Sequence, residues 1–102
     1  MNKRLEMLRG LVETGRADSF GRYALALELR KDGQHAEALA AFEALRELDP
    51  SYLPMYFLCG QLLLDMNRES EAASWFSAGI AVAERAGDGK TLSELQAALA
   101  EI

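Results

Sequence analysis

Displaced against itself by 34 residues, the sequence pairs Leu29 with Leu63, Glu37 with Glu71, Ala38 with Ala72, Phe42 with Phe76 and Ala44 with Ala78. These identities are few, and their placement carries the argument. Gly33 falls opposite Asn67, the two residue types that best tolerate a left-handed turn. Ala26 falls opposite Gly60, both small enough to let two helices approach closely. A chain that repeats its turn residues and its small residues in step repeats one supersecondary unit, and such units cover their apolar faces by stacking on a neighbour.

Composition makes that unit helical. Ala, Leu and Glu are abundant and Val, Ile and Thr scarce, so helix is favoured almost everywhere and no sheet is expected. At 102 residues, 50% hydrophobic, the chain fits one compact domain with a core that needs no disulfide or metal staple. The single Cys59 has no partner for an internal bridge, which suits a reducing compartment. Eleven Lys and Arg against sixteen Asp and Glu give a net charge of -5, which argues against nucleic acid as a partner. Charges at Lys3, Arg4, Glu6, Arg9 and Glu13 interrupt any secretory leader. The longest apolar stretch, 52–64, contains Pro54 and Gln61 and is shorter than the ~20 residues that span a bilayer. The expectation is a cytoplasmic protein with no membrane partner.

Breaks at 15–19, 32–34, 49–51, 67–68 and 87–89 separate six periodic segments. The first, 2–14, carries Leu5, Leu8, Leu11 and Val12 on one stripe. The second runs to Lys31 from a cap at Asp18 or Ser19, with Gly33 closing it. The third, 35–48, places Ala38, Leu39, Phe42, Leu45 and Leu48 at helical spacing and ends at Asp49-Pro50. The fourth, 53–66, is apolar nearly all round, as a helix flanked on several sides must be. The fifth covers 69–86. The sixth is predicted to start after Thr91, where Thr91-x-x-Glu94 forms a capping-box pattern ahead of Leu92, Leu95, Leu99 and Ile102.

On these residues the chain resembles the tetratricopeptide repeat family, whose pattern W-x2-L-G-x2-Y…A-x3-F…P can be laid over it twice. The first copy reads Arg22, Leu25, Ala26, Leu29, Ala38, Phe42, Pro50; the second reads Tyr56, Cys59, Gly60, Leu63, Ala72, Phe76 and then Glu84. Glu84 in place of the proline predicts a fifth helix that continues toward Gly87. The resemblance implies an all-α fold, a right-handed superhelix of helical hairpins with about six antiparallel helices. The expected organisation of the single domain 1–102 is an N-terminal helix or half repeat (1–15), repeats at 19–52 and 53–86, and a capping helix (91–102). The pattern asks for small residues where paired helices cross, Ala26 with Ala38 and Gly60 with Ala72. It also asks for an aromatic wedge, Phe42 or Phe76, between neighbouring repeats.

Catalytic and metal signatures are missing from the sequence. His35 sits in a turn far from Cys59, no Cys-x-x-Cys, His-x-x-x-His or calcium-type loop is present, and the carboxylates of Glu37, Glu43, Glu47, Glu69 and Glu71 fall on solvated faces. Gly87-Asp88-Gly89-Lys90-Thr91 lacks the strand and the spacing of a phosphate loop. The reading is a non-enzyme with no metal and no cofactor.

In the resembled family the first helices of successive repeats line a concave groove that receives a peptide or helix of another protein. Carried over, the lining is Phe20, Tyr23, Leu27 and Arg30 from the second helix and Phe57, Gln61 and Leu64 from the fourth. Tyr23 and Leu27 stand where carboxylate-clamping members carry Lys and Asn, so that specificity is not expected. The function so implied is an adaptor or scaffold that grips an apolar or aromatic segment; the alternative is a homo-oligomer that satisfies the same surface with a second copy.

Overall fold

The computed structural model describes residues 2–102. Six helices follow one another, α1 (Lys3–Glu13), α2 (Ser19–Lys31), α3 (His35–Leu48), α4 (Pro54–Asp65), α5 (Glu69–Ala86) and α6 (Gly89–Ala100), with no strand among the described residues. They form two compact units: α1, α2 and α3 in one that ends at Pro50, and α4, α5 and α6 in the other, Ser51–Ile102.

Both hairpins close by the same backbone device. Gly33 and Asn67 have positive φ, 79° and 59°. The next residue's N–H reaches back five positions, Gln34 to the Leu29 carbonyl at 2.9 Å and Arg68 to the Leu63 carbonyl at 2.8 Å. This Schellman closure satisfies carbonyls that the helix end would otherwise leave bare. Gly15 and Gly87 end α1 and α5 in the same way, with Arg16 bonding Leu11 and Asp88 bonding Ala83. The turns thus fix the direction in which the next helix leaves before any side chain packs.

In the first unit α2 packs on both α1 and α3. Ala26, Leu29, Ala38, Phe42 and Leu45 are essentially inaccessible to solvent, and Leu5 and Leu8 complete the core from α1. Asp18, not Ser19, caps α2: its side chain accepts the Gly21 N–H at 2.8 Å. Ser19 instead donates its hydroxyl to Asp49 at 2.7 Å, tying the start of α2 to the end of α3. Polar clamps hold α1 in place. Arg9 forks onto both Glu37 oxygens at 2.7 and 3.0 Å, and Glu28 accepts from Arg4 and Asn2.

In the second unit α5 is the shared element, packed on α4 and on α6. α4 and α5 meet tightly at Gly60, where a Cβ would sit 2.2 Å from Cε1 of the fully buried Phe76. The ring therefore lies over Gly60 of its own hairpin, filling the place a side chain would take. At Gly79 a Cβ would meet Tyr56 Cβ at 2.6 Å and Leu95 Cδ1 at 3.0 Å, so α5 is pinched by α4 and α6 at the same level. With no proline at position 84, α5 runs for 18 residues against 14 in α3, as Glu84 implied.

The start of α6 differs from the capping-box reading at Thr91. The helix begins at Gly89 and Asp88 is the cap, its carboxylate accepting the Thr91 N–H at 3.0 Å and the Thr91 hydroxyl at 2.8 Å. Thr91 lies inside the first turn, where its own N–H needs an acceptor and its hydroxyl serves as a donor. The bonds from Thr91 hold the Asp88 carboxyl below its ordinary pKa.

Three substitutions test this account. Gly10 is an exposed mid-helix glycine with open space around it, so Gly10→Ala should raise stability by about 0.5–1 kcal/mol through helix propensity. Gly60→Ala gains the same propensity but must displace Phe76, and should lower stability by about 1–3 kcal/mol. Urea midpoints moving in the same direction for both variants would refute the packing assigned to Gly60. Asp88 has a depressed carboxyl pKa, so its contribution is full above the ordinary Asp range, about pH 4, and is lost as pH falls through the depressed value. The Tm gap between the wild type and Asp88→Ala should accordingly be widest at neutral pH and shrink on acidification; a gap that widens in acid would contradict the capping role.

Candidate functional site

The buried face of α2 is Ala24, Leu25, Ala26 and Leu29. What remains, at spacings of three and four, is Phe20, Tyr23, Leu27 and Arg30. Phe20 is 67% exposed, an unusual state for a phenylalanine. Tyr23, Leu27 and Arg30 are half-buried, and the Tyr23 ring meets Phe42 edge-on with centroids 6.4 Å apart. Tyr23 is therefore both a surface residue and a prop for the core.

On α4 the buried face is Met55, Tyr56, Cys59, Gly60, Leu62 and Leu63, leaving Phe57, Gln61 and Leu64 half-buried on the other side. Phe57 packs its ring against Phe76 at 6.1 Å between centroids. Its outer face opens into a cleft of about 350 Å³, lined by Leu53, Pro54, Phe57 and Leu58 at the start of α4 and by Asp88, Thr91 and Glu94 on α6. Of the residues expected to line a groove, only Phe57 borders this cleft. The α2 stripe lies in the first unit and the α4 stripe in the second.

The other five apolar and acidic walls of the cleft, together with Thr91, escaped the sequence reading for a physical reason. Leu53 and Glu94 are brought together by the path of α5 between them, which no local spacing encodes. One signal was readable: Asp88 followed three positions later by a bonded N–H repeats the Asp18–Gly21 cap of α2. Reading it would have started α6 earlier and put Asp88 at the helix entrance.

A larger depression in the first unit, about 890 Å³, lies between α1 and the end of α2. Its charges are of both signs, and Arg9 bonds Gln34 and, outside the lining, Glu37, while Gln34 bonds Asp32. Among the described residues no group of His, Cys, Asp and Glu is arranged to hold a metal ion, and no helix is long and apolar enough to cross a membrane. Cys59 is buried and not disulfide-bonded.

A family model for the tetratricopeptide repeat matches residues 29–102. A tetratricopeptide repeat domain protein from Salinibacter ruber is similar in both its solution and its crystal structure. The solution structure is 43% identical with a TM-score of 0.79, covering 82% of this chain and 85% of that one. The crystal structure is 42% identical with a TM-score of 0.77, covering 83% and 94%. The solution structure of a protein from Bordetella parapertussis superposes with a TM-score of 0.84 at 25% identity, over 99% of this chain and 88% of that one. No match is found among curated proteins. With two hairpins closed by the same left-handed turn, small residues at the helix crossings and a family match over most of its length, this chain belongs to the tetratricopeptide repeat family.

Proposed function

We propose that the protein is an adaptor that binds apolar or aromatic segments of another protein, the outward stripe of α2 and that of α4 each offering a contact surface. The family supports protein–protein interaction in general. The finer reading rests on one observation: large apolar side chains remain at the surface on helices whose opposite faces already supply the core. Phe20 is mostly exposed, and Phe57 forms the floor of an open cleft in which Leu53, Pro54 and Leu58 are also reachable.

Such a surface binds by burying side chains against a preformed scaffold. Helices closed by left-handed turns of this kind lose little conformational freedom on binding, which leaves more of the contact energy as affinity. Aromatic anchors dominate surfaces of this kind. Tyr23 is the anchor on the α2 stripe, with Phe20 and Leu27 enlarging its apolar area and Arg30 beside it; Phe57 is the anchor on the α4 stripe, with Leu64 and Gln61 beside it. No reaction is assigned, and the setting is a soluble, cytoplasmic one.

Because Tyr23 and Phe57 also support Phe42 and Phe76, truncating them mixes binding with stability. A photo-crosslinking amino acid avoids this. Placed at position 20 or 57 in the full chain, it should trap a partner protein in a cell extract; placed at the exposed Glu43 of α3 or Ser77 of α5, it should trap little. Equal or stronger cross-linking from positions 43 and 77 would refute the proposal.

A further inference from the structure

The cleft beside Phe57 carries charge of one sign. Its floor is the apolar start of α4, and the ionisable side chains that line it, Asp88 and Glu94, are both carboxylates. Glu94 is exposed, and no cation lies in the lining. Asp88 accepts from the N–H and hydroxyl of Thr91 and from the Lys90 N–H, while a carboxylate offers about four acceptor positions in all. The opposing influence is weaker. A helix N-terminus carries about half a positive charge, and that of α6 is already matched by its Asp88 cap. Lys90 interacts with Asp88 electrostatically but is exposed and stands outside the lining. The unit as a whole has the same sign, with three basic side chains against seven acidic over 51–102, and one of the three, Arg68, is forked onto Glu71.

The cleft volume of about 350 Å³ is near the lower end of ligand-sized clefts, about 300–1,000 Å³, and so accepts a large side chain but not a helix. An acidic segment would bring like charges together at its rim. We infer that the occupant is a cationic stretch of a partner polypeptide, one large apolar side chain entering beside Phe57 and neighbouring Lys or Arg side chains meeting Asp88 and Glu94. This inference rests on Phe57 being a partner contact and adds the partner's charge.

Two short fluorescein-labelled peptides with the same Trp-Leu centre, one flanked by lysines and the other by glutamates, test it by fluorescence anisotropy on the full chain. The lysine peptide should bind about tenfold more tightly at low salt, the scale of two solvent-exposed ion pairs gained against two repulsions. The preference should shrink as added salt screens it. It should disappear in Asp88→Asn with Glu94→Gln, where Asn preserves the helix cap. Equal affinity for both peptides, or preference for the glutamate peptide, overturns the charge assignment; if Phe57→Ala weakens both equally, Phe57 still stands as a contact. Absence of binding by the lysine peptide also overturns it, whatever positions 20 and 57 cross-link. Binding that survives Phe57→Ala, or Leu58→Gln should Phe57→Ala lose its helical circular dichroism, removes Phe57 itself and with it the cleft.

Discussion

Close approach of paired helices is the constraint on which the second unit depends, and it is enforced by the absence of side chains. Gly60 leaves room for Phe76, and Gly79 lets α5 pass between Tyr56 and Leu95. A glycine inside a helix costs about 0.5–1 kcal/mol relative to alanine, so α4 and α5 both give up helix propensity. The return is a fully buried aromatic ring and a fully buried leucine, and burying side chains of that size contributes about 1.5–3 kcal/mol each. Packing therefore outweighs propensity at both positions.

The first unit solves the same problem with different residues. Ala26 and Ala38 are fully buried in the α2/α3 hairpin, and Leu45 occupies the place that Gly79 holds in α5. The third helix of each unit is also placed differently: α1 packs on α2, whereas α6 packs on α5. α1 is held differently too. Two buried leucines from α1 are supplemented by the Arg9–Glu37 fork and the Glu28 clamp, which are partly exposed and therefore modest in strength.

How much of this was legible follows from the same distinction between local and non-local causes. The turns were readable because a left-handed residue is a local requirement: Gly33 and Asn67 can be matched by position alone, and both adopt positive φ. Helix ends were readable for the same reason, with bounds for α3 and α5 at His35–Leu48 and Glu69–Ala86. The entrance to α6 was misread because two capping patterns overlap there. The one that wins places Asp88 before the helix, and Asp is preferred over Thr at that position. For the candidate site, periodicity identified which residues on α2 and α4 are left over from the core, Phe57 among them. It could not identify Leu53, Pro54 and Leu58 as neighbours of Glu94, since that juxtaposition exists only after α5 has folded back.

Asp88 shows how a requirement of the fold can also set the character of a surface. The start of α6 needs an acceptor at this position, and Asn or Ser would meet that need about as well as Asp. Neither of those would add charge to the adjacent cleft. The same hydrogen bonds from Thr91 that cap the helix favour the ionised form of Asp88, so the negative charge is held in place across the neutral range at no further structural cost. Glu94 lies on the same wall without a capping duty, and the α6 backbone places no demand for a carboxylate there. Two acids on one wall, of which the fold needs only an acceptor at the first, are better explained by what the cleft meets than by what the helix requires.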